Sequence, residues 1–157
     1  MSRWMMMLGI LGLRGYQANA DSQYKRERPK LDPTSRRVPP AGPMIGQSTD
    51  FNTHVWTGIP YAQPPIGTQR WKAPLPLSPW TEELEAITQG AVCPQYSGPT
   101  ASKNILSYGK IIGDEDCLYL NIWAPRLSAE HLPTGKDRLP VMIWIHGGGN
   151  SVGYGGL

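Results

Sequence analysis

At 157 residues the chain has room for one hydrophobic core, and a hydrophobic content of 39% excludes a wholly disordered chain. Sixteen prolines and 18 glycines predict a fold rich in turns and loops. The formal net charge of +3 becomes 3 − 2 = +1 once Arg3 and Arg14 of an acid-free leader are set aside, which removes any general electrostatic case for a nucleic-acid partner.

Arg3, an apolar run over 4–13, and Ala18-Asn19-Ala20 before Asp21 have the order of a secretory signal peptide, residues 1–20, cleaved after Ala20. The competing reading is a short buried helix. The run is well short of the roughly 20 apolar residues that a spanning helix needs. No later stretch is longer, so a secreted or lumenal protein without a transmembrane segment is expected. Residues 21–42 hold Lys25, Arg26, Arg28, Lys30, Arg36 and Arg37, diluted by Asp21, Glu27 and Asp32, and lack apolar periodicity. They predict a solvated, proline-containing basic arm, the alternative being a contact with a polyanion or a membrane surface.

A folded region is expected over 43–157. Met44-Ile45 and Val55-Trp56 are β-like pieces separated by Gly46 and the polar run 47–53, which predicts a hairpin. Gly58-Ile59-Pro60-Tyr61-Ala62 and the prolines that follow predict an ordered turn. Thr81-Glu82-Glu83-Leu84 predicts one capped helical turn. Residues 94–113 read as a polar surface loop, and 126–139 as another.

Two strands are predicted more firmly. Residues 117–123 alternate and end at Ala124-Pro125. Val141-Met142-Ile143-Trp144-Ile145 is continuously apolar between Pro140 and a glycine run, the pattern of a central strand buried on both faces of an α/β sheet.

Cys93 and Cys117 are the only cysteines. Export favours their oxidation, and closing that loop would stabilise the fold by about 3.5 kcal/mol on a chain-entropy estimate. Two free thiols are the alternative. A metal site lacks a third soft ligand at suitable spacing. No Asn-x-Ser/Thr acceptor occurs.

Three blocks carry a family resemblance. Gly58-Ile59-Pro60-Tyr61-Ala62 with Pro64, Pro65, Gly67, Arg70 and Trp71 is similar to the N-terminal block of type-B carboxylesterases and cholinesterases. Glu115-Asp116-Cys117-Leu118-Tyr119-Leu120-Asn121 resembles their cysteine signature. Residues 139–149, ending His146-Gly147-Gly148-Gly149, resemble their strand and oxyanion loop. Alone, the glycine run would read equally well as a flexible turn.

The resemblance implies the N-terminal part of an α/β-hydrolase fold: the first strands of the central sheet plus the oxyanion loop. It implies that Gly148 and Gly149 donate to a developing oxyanion while Gly147 shapes the loop. Glycine suits that role because no Cβ blocks the approach. It also implies a Cys93–Cys117 disulfide and a structural ion pair between Arg70 and Glu115, with no metal or cofactor and a small carboxylic ester as substrate.

The serine nucleophile, its acid and its histidine are implied to lie downstream of Leu157. Ser151 in Asn150-Ser151-Val152-Gly153 is not read as the nucleophile, and His54, His131 and His146 are not read as the base. An inactive N-terminal fragment of a serine esterase, folding poorly alone, is the expectation. The alternative is a non-catalytic cholinesterase-like ectodomain that binds a protein partner. Between the cysteines only Tyr96 and Tyr108 are aromatic, with no tryptophan to attract a quaternary ammonium, which favours a general carboxylesterase over a choline esterase.

Overall fold

The computed structural model describes residues 29–97 and 109–156, so the signal peptide expected over 1–20 lies outside the described residues. Among the described residues seven strands occur: β1 (Met44–Ile45), β2 (Gln47–Ser48), β3 (Thr53–Pro60), β4 (Leu84–Glu85), β5 (Gln95–Tyr96), β6 (Ile111–Ile112) and β7 (Tyr119–Pro125). Among the described residues the only helices are short 3-10 turns, and no helix is long and apolar enough to cross a membrane.

The organising element is β3. It pairs antiparallel with β2 on one edge (Gln47 opposite Val55) and with β7 on the other (Val55 opposite Trp123). Further along, Thr57 forms a parallel bridge to Ile87, and its amide donates to the Ala86 carbonyl at 2.8 Å. With both edges satisfied, β3 can bury both faces: His54, Val55, Trp56, Thr57 and Ile59 are all buried. Trp56 and Ile59 meet Met44 and Ala86 in the core cluster, with Leu84 and Ala124 packed against it.

Trp56 and Ile59 differ in parity, and strict alternation would place them on opposite faces. The register shifts between them, so that Thr57 and Gly58 together oppose Asn121. This bulge returns Ile59 to the face of Trp56. Gly58 makes it possible with φ +68°; a Cβ there would overlap the Thr88 carbonyl. Its amide donates to Asn121 Oδ1 at 2.9 Å.

Several local expectations are revised. The hairpin forms, but between β2 and β3, while Met44-Ile45 pairs in parallel with β4. Gly58-Ile59-Pro60 is strand rather than turn, because the bulge absorbs the glycine and Pro60 ends the strand opposite Tyr119. Leu84 lies in β4 and not in a helical turn, because its amide donates to the Pro43 carbonyl and that of Ala86 to Ile45. The ends of the inter-cysteine loop pair as β5–β6.

The described part of the segment expected as an arm is packed. Leu31 bridges to Gln47 and Arg37 to Met44. Ser35 is fully buried; its hydroxyl donates to the Asp32 carbonyl and accepts from the Gly46 amide, and its own carbonyl accepts from Trp56 Nε1 at 3.1 Å. Arg37 lies over the Trp56 ring, 5.3 Å from its centroid. A local charge count does not register such tertiary partners.

The largest revision concerns residues 141–145. They lie outside any strand, with Val141 85%, Met142 95% and Ile143 84% exposed. A strand buried on both faces needs neighbours at both edges and cover above and below, and the described residues supply neither. Such an exposed apolar run is a surface that demands a partner.

Asp32 is the charged keystone of the packed N-terminal segment. Its carboxylate accepts from the Thr34 amide (2.9 Å) and hydroxyl (2.7 Å) and faces Arg126 Nη2 at 2.9 Å. Burial works against its charge, but the Thr34 bonds and Arg126 outweigh burial and hold the pKa at about 2. Fully buried His54 approaches from the other side, Nε2 standing 3.1 Å from Thr34 Oγ1. Because that hydroxyl donates to Asp32, it accepts from His54, which assigns the neutral ring its proton on Nε2. Burial depresses the His54 pKa.

Both shifts act in the same direction on stability. The unfolded state binds the extra protons, so stability falls as pH drops below 6.5 for His54 and again from 3.8 towards 2 for Asp32. The Asp32 contribution is about 2 kcal/mol, and Asp32→Asn should remove the lower limb in a pH series of denaturant melts. Separately, Gly58→Ala should cost about 2 kcal/mol or more through left-handed strain and the Thr88 overlap, read as a lowered denaturation midpoint.

Candidate active site

The site is assembled around the glycine run. His146 Nδ1 lies 2.9 Å from the Gly147 carbonyl, and the Trp144 and His146 rings stand 6.5 Å apart. The chain then turns sharply: the amides of Ser151 and Val152 both donate to the Gly148 carbonyl, at 3.1 and 3.2 Å. Gly148 has φ +131° and Gly149 φ +61°. A Cβ on Gly148 would overlap the Val152 carbonyl, so only glycine closes this turn. The amides of Gly148 and Gly149 donate to none of the described residues. Nothing lies within 4 Å of a Cβ built on Gly147 or Gly149, so the loop faces open space.

Ser151 is flanked by Gly149 and Gly153, so the segment does have the Gly-x-Ser-x-Gly spacing of a nucleophile elbow, and an absent glycine pattern is no ground for setting it aside. Geometry, not spacing, excludes Ser151. An elbow serine stands on a strained turn between a strand and a helix with its hydroxyl presented to a base. Here the left-handed residue before the serine is Asn150 at φ 56°, and Ser151 Oγ donates to the Gly149 carbonyl at 3.2 Å. His146 is engaged with Gly147 and His54 is buried in the Asp32 cluster, so neither serves Ser151.

Cys93 and Cys117 are joined in a disulfide, with Cα atoms 5.0 Å apart. It fastens the start of the β5–β6 hairpin to the segment leading into β7, where the Asp114 amide donates to the Val92 carbonyl. Arg70 Nε donates to Glu115 Oε1 at 2.5 Å, bringing the first block to the second. Their side chains are 49% and 39% exposed, however. An ion pair in that setting contributes up to about 1 kcal/mol, not the several of a buried pair.

Two residues outside the expected site tie these parts together. Gln95 bonds both the amide and the carbonyl of Gly153, and Asn121 Nδ2 donates to the Gly155 carbonyl at 3.1 Å. The sequence signal was only their adjacency to Cys93 and their place in the cysteine signature. Among the described residues no group of three or more His, Cys, Asp or Glu could hold a metal ion.

Residues 38–156 match the Carboxylesterase family. The para-nitrobenzyl esterase of Bacillus subtilis is 43% identical over 109 residues, covering 69% of this chain and 20% of that protein. Human carboxylesterase 3 is 38% identical over 125 residues, covering 77% of this chain and 21% of that protein. A solved PNB esterase structure superposes with a TM-score of 0.60 at 40% identity, covering 76% of this chain and 22% of the other. The chain thus spans about a fifth of the length of these relatives. It belongs to the carboxylesterase family and carries part of the α/β-hydrolase fold of those esterases.

Proposed function

We propose that this chain supplies the oxyanion-binding part of a serine carboxylic ester hydrolase. The observation that carries the reading is the pair of unengaged amides at Gly148 and Gly149, presented by a turn that only glycine can make. When a serine attacks an ester carbonyl, the oxygen becomes an anion, and preorganised N–H donors stabilise it without reorganising. The serine, its histidine and its acid are to be supplied by a longer protein, since no residue among the 157 is assigned to them. The acyl-enzyme would then be released by water, with no cofactor required.

The matched esterases support an ester as substrate, and the lack of a tryptophan between the cysteines favours a general carboxylic ester over a choline ester. Export through the 1–20 leader is part of the same proposal, and the Cys93–Cys117 disulfide supports it.

The test is steady-state hydrolysis of a para-nitrophenyl ester by the full-length protein. Gly148→Ala, by forcing the turn open, should lower kcat about 100-fold, the effect of losing one oxyanion donor, with little change in KM. Ser151→Ala should leave kcat in place. Wild-type protein that hydrolyses no carboxylic ester would sink the reading.

A further inference from the structure

Gln95 is 7% exposed, and its primary amide makes three hydrogen bonds. Nε2 donates to the Gly153 carbonyl at 2.9 Å and to the Cys93 carbonyl at 3.1 Å, while Oε1 accepts from the Gly153 amide at 2.8 Å. The pair at Gly153 is reciprocal, one bond in each direction, as between two strands. The Cys93 bond fixes which way round the amide lies. A side chain must both donate and accept in one plane to do this. A glutamate of the same size would set a carboxylate against two carbonyl oxygens.

Gly153 is not a remote anchor. At φ +122° it is seated so closely against the start of the glycine run that a Cβ would overlap the His146 ring and the Gly147 carbonyl. Between them, residues 148–152 are closed by the two bonds onto the Gly148 carbonyl. Any displacement of Gly153 therefore presses on His146 and Gly147 and is passed through Gly147 to the adjoining Gly148 and Gly149. On the other side, Gln95 lies in β5, paired with Ile112 of β6 and two residues beyond the cystine. Asn121 adds a parallel tie: it holds the Gly155 carbonyl through Nδ2 and the Gly58 amide at the β3 bulge through Oδ1.

We propose that Gln95 is a positioning residue for the oxyanion loop, clamping Gly153 to the disulfide-bridged hairpin so that the Gly148 and Gly149 amides keep a fixed aim. The inference rests on the oxyanion reading of that loop. Gln95 does not touch the ester; it acts through Gly153. A misplacement of about 1 Å in a catalytic donor costs on the order of 100-fold in rate, so a loosened clamp should be visible in kcat.

The experiment uses the full-length protein with Gln95→Glu and Gln95→Met, and with Asp32→Asn as a destabilised control whose partners, Thr34, His54 and Arg126, lie outside the loop. Three quantities are read: kcat and KM on a para-nitrophenyl ester, Ki for a trifluoromethyl ketone that forms a tetrahedral oxyanion adduct, and amide hydrogen exchange over residues 146–156. Both Gln95 variants should lose about 10- to 100-fold in kcat with KM little changed. The ketone Ki should rise in step with the fall in kcat/KM, and exchange over 146–156 should quicken. Asp32→Asn should lower Tm without these changes.

Wild-type kcat and ketone affinity in both Gln95 variants would overturn the inference and leave the oxyanion reading standing. So would a kcat loss that Asp32→Asn reproduces at equal loss of Tm. If wild-type protein hydrolyses no ester, the oxyanion reading fails by itself. Unchanged exchange over 146–156 in the variants would then reject the clamp independently.

Discussion

The backbone hydrogen bonding of β3 is the constraint on which the rest of the structure depends. Occupied on one edge by β2 and on the other by β7, the strand has no need of solvent for its amides and carbonyls, so both of its faces can be covered. One face receives Met44 and Ala86 against Trp56 and Ile59. The bulge at Thr57-Gly58 is what places those last two side chains together, and Asn121 across the strand pair caps the displaced amide. The same Asn121 reaches the glycine-rich segment, so the core and the candidate site share a hydrogen-bonding side chain.

Charge plays two different parts. At Asp32 a buried carboxylate is supplied with the Thr34 hydroxyl and amide and with Arg126, so that losing one partner leaves the others poorly compensated. That cluster fastens the segment before β1 to β3 through His54 and is structural. Arg70–Glu115 is shorter but solvent-exposed, and water competes for both ends. Its role is to keep the first block near the cysteine signature rather than to stabilise the fold by much.

The candidate site is a surface turn held from beneath. Cystine, Gln95 and Gly153 form one continuous connection from a covalent cross-link to the glycine amides. Neighbouring apolar residues 141–145 are open to solvent, and the partners that a two-sided strand needs are not among the described residues. A chain that spans about a fifth of its relatives presents this glycine turn at its surface, and the proposed chemistry calls for groups beyond those described.

What the sequence determined by itself was chiefly chemical and local. The cysteine pairing was limited by count, and alternation marked a strand over 117–123, which the structure places over Tyr119–Pro125. Tertiary structure decided the rest. Alternation could not reveal a bulge that resets parity at Gly58, since its cause is the Thr88 carbonyl and the register against β7. Composition marked Asp32, Ser35 and Arg37 as arm residues because their partners, Arg126, Gly46 and Trp56, are distant in sequence. Spacing alone gives no ground for setting Ser151 aside; the backbone at Asn150 and the bond of its hydroxyl to Gly149 do. Periodicity reports what a segment can bury, whereas burial itself requires a second surface, which is why residues 141–145 read as core and lie exposed.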